Sequence, residues 1–93
     1  MMIYIWRLIK ELHEKDEIVK ALASMTEFMT KTKDGYMFAG SVAGYIKEEY
    51  VGLDDKMIVV YVITADSMKA IEIAKILGVP TCITCCTEYA NRL

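Results

Sequence analysis

Met57-Ile58-Val59-Val60-Tyr61-Val62-Ile63 decides how this chain is read: seven consecutive apolar residues, rich in valine and isoleucine, set between the polar turn Gly52–Lys56 and the polar junction Thr64–Ser67. β-Branched residues in a short unbroken run favour a strand. The absence of polar alternation predicts a strand shielded on both faces and placed centrally in its sheet.

Downstream of that strand, Thr64–Ser67 opens a helix that runs to Leu77, with Asp66 or Ser67 as its cap. Gly78 supplies the left-handed stop, and Pro80 cannot continue a helix. Only Lys69, Glu72 and Lys75 are charged within it, while Met68, Ala70, Ile71, Ile73, Ala74, Ile76 and Leu77 cover the rest. Such a helix is expected to be buried on more than one side. Thr81–Cys86 is small and β-branched, a second short strand, and Thr87–Leu93 is expected to be a frayed helical turn. Strand, helix, strand at this spacing predicts a right-handed parallel β-α-β unit. Two strands do not make a stable sheet. A third must come from Met2–Trp6, from Tyr36–Val51 or from another chain.

Upstream, Met2, Ile5, Leu8, Ile9 and Leu12 recur at intervals of three and four, which predicts a helix over Met2–Glu14. The stretch Met2–Trp6 also suits a short buried strand, the less favoured alternative. His13–Glu17 is uniformly polar and marks a turn. Asp16 can cap a second helix reaching about Lys31, with Glu17 adding negative charge at its positive end. In that helix Ile18, Leu22, Met25 and Met29 form a narrow apolar seam, with Phe28 beside it, fit to pack along one neighbour. Lys31–Gly35 ends in Asp-Gly, the chemistry of a tight reversal.

Tyr36–Val51 is ambiguous. As a helix over about Ser41–Glu49 it aligns Ala39, Val42, Ala43, Ile46 and Tyr50, but Gly40 and Gly44 each cost about 1 kcal/mol in a helix interior. As strands Tyr36–Ser41 and Tyr45–Val51 it forms a meander, with the glycines at bulges or close approaches. The helix is slightly preferred. The expected architecture is thus α/β or α+β: one domain over residues 1–93, an N-terminal helix pair packed on a small sheet that contains the C-terminal β-α-β unit.

Composition bounds the function. The 93 residues are 55% hydrophobic and 26% charged, with a net charge of −2 and no basic or acidic block. Disorder is excluded, and nothing in the charge pattern provides the electrostatic footprint of a nucleic-acid binder. Apolar residues in excess of one small core predict self-association or a protein partner. The uncharged stretches Gly35–Ile46 and Ile76–Thr87 are too short to span a membrane. Met1–Trp6 lacks a basic leader and is followed by Arg7 and Lys10, so no secretory signal is read there and a cytoplasmic protein with reduced thiols is expected.

Three groups of residues are candidate sites. At the end of the central strand, Thr64, Asp66, Ser67 and Lys69 stand where α/β sheets gather anionic ligands, such as a nucleotide or another phosphate-bearing molecule. The junction has no glycine for close approach, and Asp66 repels an anion. Helix capping is the plainer explanation. Cys82, Cys85 and Cys86 include a C-x-x-C spacing, but Ile83 and Thr84 hold the chain extended between them, and three thiols lack an evident fourth ligand unless His13 comes near. They are expected to be small buried hydrophobes rather than metal ligands or nucleophiles, and no metal or cofactor is expected. The carboxylate pairs Glu48–Glu49 and Asp54–Asp55 suit solvent-facing positions, and no catalytic residues are assigned.

The aromatic and methionine set Tyr4, Trp6, Tyr36, Met37, Phe38, Tyr45 and Tyr50 has the composition of an interface or of an ordinary core. Tyr4, Trp6, Met25, Met29, Tyr45 and Tyr50 are the interface candidates. The leading expectation is a non-enzymatic, self-associating protein that also binds a protein partner, the alternative a small-ligand binder at Thr64–Lys69. A cysteine-dependent enzyme is the third.

Overall fold

The computed structural model describes residues 2–79 and 86–90. It contains β1 (Met2–Glu11), a 3-10 turn (Leu12–Glu14), α1 (Lys15–Met25), β2 (Phe28–Lys31), β3 (Gly35–Ala39), β4 (Ala43–Val51), β5 (Asp55–Thr64), α2 (Ser67–Leu77) and β6 (Cys86–Ala90). The six strands form one sheet in the order β2-β3-β4-β5-β1-β6, and every neighbouring pair is antiparallel.

The central strand is where the valine and isoleucine run placed it, with β4 on one side and β1 on the other. Ile58, Val60 and Val62 alternate onto one face and are fully buried with Leu22 of α1 and Ala70 and Ala74 of α2. Both helices therefore cover the same face. On the other face Val59 is fully buried, flanked in register by Ile9 and Lys47, whereas Met57, Tyr61 and Ile63 are half-buried. The expected cover on both faces exists on one.

The predicted N-terminal helix pair is corrected. Met2–Glu11 is strand β1, paired with β5 from Tyr4 opposite Thr64 to Glu11 opposite Met57. The three-and-four spacing of Ile5, Leu8, Ile9 and Leu12 coincides with a strand apolar on both sides, with Trp6 and Leu8 toward the helices and Ile5, Arg7 and Ile9 away. Tertiary pairing with the strongest strand in the chain overrides the helical periodicity. The second predicted helix is real but shorter. It starts at Lys15, so Asp16 lies in its first turn rather than at its cap, and it ends at Met25. Thr26 leaves it with extended dihedrals, its Oγ1 donating to the Leu22 carbonyl at 2.8 Å. Phe28–Lys31 is strand, so the apolar seam ends at Met25 and Met29 belongs to β2.

The slightly preferred helix over Ser41–Glu49 is also overturned. β3 and β4 form the meander, and a Cβ at Gly44 would overlap the Tyr61 carbonyl oxygen and the Phe38 ring. This close approach is what the glycine permits. Gly52 takes a left-handed φ of 82° in the β4–β5 turn.

α2 ends as read. Asp66 caps it by accepting from the Met68 amide at 3.0 Å, and Gly78 stops it at φ 72°. It is buried on one side only, through Ala70, Ile73, Ala74 and Leu77, while Met68 and Ile76 are 65% and 59% exposed. The predicted right-handed parallel β-α-β unit does not form as expected, because its two strands are not paired with each other. β6 begins at Cys86 and pairs with β1, so β1 stands between β5 and β6. Residues 81–85 of the expected strand and 91–93 of the expected helical tail lie outside the described residues, and Thr87–Ala90 belongs to β6 rather than to a helical turn. The third strand sought from the sequence is supplied within the chain by both candidate segments.

This topology explains why, among the described residues, both helices lie over one face. β5 and β6 are each antiparallel to β1 and so run the same way with one strand between them, the split β-α-β arrangement. β1 and β4 bear the same relation across β5, connected through α1 and the β2–β3 hairpin. Both crossovers carry their helix over the same side. Among the described residues, no helix is long and apolar enough to cross a membrane.

Candidate functional site: the open face of the sheet

Side-chain alternation and register assign the uncovered face. It receives Ile3, Ile5, Arg7, Ile9 and Glu11 from β1, Met57, Val59, Tyr61 and Ile63 from β5, and Ala43, Tyr45, Lys47, Glu49 and Val51 from β4. β3 adds Met37 and β2 adds Phe28, which are 53% and 57% exposed. Among the described residues no helix or second sheet lies over this face, where Val59 is fully buried and Ile3, Ile5, Ile9, Met57, Tyr61 and Ile63 are half-buried.

A polar group sits at the centre of this apolar field. The Tyr61 hydroxyl donates to the Glu49 carboxylate, 2.8 and 2.7 Å from its two oxygens, and the Tyr61 ring stacks on Tyr45 with centroids 4.5 Å apart and planes at 21°. Lys47 approaches Glu49 at 3.5 Å, and Arg7 lies opposite Tyr61 in register. Burial pushes the Tyr61 phenol above the ordinary tyrosine value, the bond to Glu49 adds to that rise, and Arg7 opposes it. With Glu11 from β1 and Asp55, opposite Val51 at the start of β5, the described face carries two cations and three anions. A surface that mixes both signs can place cations opposite anions when it meets a copy of itself.

The dimensions are those of an interface. Six strands of four to ten residues, about 4.8 Å apart and rising about 3.4 Å per residue, present roughly 700 Å². A standard protein–protein interface takes about 800 Å² from each partner.

The residues singled out in the sequence disperse. Of the interface candidates, Tyr45 alone is on the open face. Trp6 is buried under the helices, where its indole Nε1 has no partner among the described residues, and Tyr4, Met25 and Met29 pack half-buried against the same core. Tyr50 is exposed, with Lys56 Nζ 5.7 Å from its ring centre.

Of the ligand candidates, Thr64 and Asp66 are engaged with each other and with the helix cap. Thr64 Oγ1 accepts from the Asp66 amide at 2.9 Å while Asp66 accepts from Met68. Ser67 is exposed, and Lys69 points instead into a cleft between the helices. The capping explanation thus accounts for Thr64 and Asp66.

Glu48 and Glu49, adjacent in sequence, serve opposite faces. On the helix side Glu48 accepts from Lys15 at 2.6 Å and lies 3.8 Å from Lys56. That hydrogen bond lowers the Glu48 pKa and raises that of Lys15. The expected solvent-facing pair is therefore a pair of anchored half-buried carboxylates. Sequence reading missed Arg7, Lys47, Glu49 and Tyr61 as a group, because only strand register brings them together. No cluster of three or more His, Cys, Asp or Glu able to hold a metal occurs among the described residues. Cys82 and Cys85 lie outside them.

Comparison with protein-family models, with curated proteins and with solved structures finds no match to this chain.

Proposed function

We propose that this is a small interaction protein that self-associates by laying the open face of its sheet against the same face of a second copy. The observation that carries this reading is the apolar face of β1, β4 and β5, over which no described residue forms a covering layer while both helices occupy the other side. Leaving such a surface in water forgoes about 25 cal/mol for each Å² of apolar area that a partner could bury. The mixed signs of the face suit a second copy as the occupant. In a two-fold arrangement the same patch meets itself, and Arg7 and Lys47 can each face Glu11 or Glu49 of the other protomer. Sheet-on-sheet packing at about 10 Å would give each protomer the second layer its topology lacks. Engagement of a different protein is the further role consistent with such an assembly.

Light scattering after size exclusion at micromolar concentration tests the reading. The expected mass is twice the 10.6 kDa chain. Ile9→Lys, which places a charge in the apolar field, is expected to return the monomer while leaving the far-ultraviolet spectrum intact. A monomeric wild type at these concentrations defeats the proposal.

A further inference from the structure

A separate feature lies on the helix side. Between the C-terminal end of α1, the β3–β4 turn and α2 is a cleft of about 300 Å³ lined by Leu22, Met25, Thr26, Ser41, Val42, Lys69, Glu72, Ile73 and Ile76. We propose that it binds a small zwitterion with an apolar side chain, of the class of a free aliphatic amino acid.

The cleft has a dry floor and a charged rim. Leu22, Val42 and Ile73 are buried at its base, and Met25 and Ile76 extend the apolar wall toward solvent. The β3–β4 turn is held tightly against the α1–β2 link, since a Cβ at Gly40 would stand 2.9 Å from the Glu27 amide nitrogen and 3.3 Å from the Thr26 Cα. This contact seats Ser41 and Val42 at the end of the cleft. On the rim, Lys69 and Glu72 come from successive turns of one helix and form no ion pair with each other or with another described residue. Ser41 adds an exposed hydroxyl, and Thr26 Oγ1, already donating to Leu22, can still accept.

The two charges select the ligand. A simple carboxylate satisfies Lys69 but meets Glu72, a simple amine does the reverse, and a neutral apolar molecule leaves both unmatched. A zwitterion places its carboxylate at Lys69 and Ser41, its ammonium at Glu72, and its side chain over Leu22, Val42 and Ile73. The volume lies at the lower end of the range of about 300–1,000 Å³ found for ligand pockets, which restricts the occupant to a small molecule. The half-open mouth and partly exposed charges predict weak binding, with a Kd on the order of 1 mM for a molecule of this size.

Titration of the ¹⁵N-labelled protein with leucine, followed by amide chemical shifts, tests the assignment. Expected are saturable shifts confined to residues 22–26, 41–42 and 69–76, with affinity about threefold weaker for leucinamide, for 4-methylpentanoate, and for the surface variants Lys69→Gln and Glu72→Gln titrated with leucine. Absence of saturable shifts up to about 20 mM leucine, some twenty times the expected Kd, overturns the proposal. So do shifts elsewhere in the fold, or equal affinity for leucine and its two singly charged analogues. The readout does not depend on the oligomeric state, so it stands or falls separately from the open-face proposal.

Discussion

The two faces of the sheet are built from the same strands and differ mainly in what lies over them. On the helix side Leu8, Ile46, Ile58, Val60 and Val62 are sealed into one cluster with Ile18, Leu22, Ala70 and Ala74. One residue along each strand, Ile9, Lys47, Met57, Tyr61 and Ile63 point away from the helices and keep contact with water, while Val59 on the same side is fully buried between its strand neighbours Ile9 and Lys47. Apolar character is therefore a poor guide to cover. Connectivity decides it, because both crossovers return over the same side.

The sharpest way to separate the faces is to truncate neighbours in β1. Leu8→Ala opens a cavity in the sealed cluster and is expected to destabilise by about 3 kcal/mol, as large-to-small changes at fully buried leucines do. Ile9→Ala removes a half-buried side chain and is expected to cost about 1 kcal/mol in dilute solution. Urea denaturation at two protein concentrations supplies the measurement. Under the proposed self-association the Ile9 effect should grow with concentration, because an associating wild type would gain stability that the variant gains less of. Equal losses at the two positions, with no dependence on concentration, would erase the distinction between the faces.

How far the sequence revealed this difference depends on the kind of signal. The run Met57–Ile63 marks β5 and its central place because β-branched density is local. Asp66 and Gly78 mark the limits of α2 because capping and left-handed stops are local chemistry as well. β1 was misread because Met2–Leu12 satisfies a helical period while its strand identity is conferred by pairing with residues more than forty positions away. Gly44 held a usable hint, since a glycine inside an apolar stretch signals close approach, and here the approach is to the Tyr61 carbonyl. The polar group of Arg7, Lys47, Glu49 and Tyr61 has no sequence signature at all. Its members come from three strands, and only their register makes them neighbours. In the Thr64–Lys69 segment, by contrast, the local signal was legible and meant capping.

The centre of the open face offers a test of intermediate size. Tyr61→Phe removes the hydroxyl that donates to Glu49 while keeping the stack on Tyr45, and a loss of about 1 kcal/mol is expected for a partly exposed bond to a carboxylate. The folded phenol holds its proton more tightly than the unfolded one, since its pKa is raised. Its contribution is therefore fully present below the ordinary tyrosine value near 10 and is lost as pH rises through the elevated folded value. Thermal melts from pH 8 to about 11 should show a steeper alkaline decline in wild type than in Tyr61→Phe. Parallel declines would mean that the phenol is no more shielded than an ordinary surface tyrosine, and the open face would lose its one partly dry polar centre.

The smallest expected effect belongs to the helix side, at its rim, where Lys15 of α1 reaches Glu48 of β4. Folding lowers the Glu48 pKa, chiefly through the Lys15 hydrogen bond, so the folded carboxylate releases its proton more readily than the unfolded one. The resulting stability is present above the ordinary value of 4.5 and disappears as pH falls through the lowered value. Glu48→Gln should therefore melt slightly below wild type at neutral pH and converge with it in acid. Because both groups face solvent and salt screens such pairs, the difference should also shrink in high salt. The Tyr61–Glu49 bond joins a neutral phenol to a carboxylate rather than two charges, so its effect should persist there. Salt thus divides the two adjacent glutamates, one fastening a helix at a wet margin and the other anchored within the apolar field. If both variants responded to salt alike, Glu49 would be as solvated as Glu48, and the open face would be an ordinary water-facing surface.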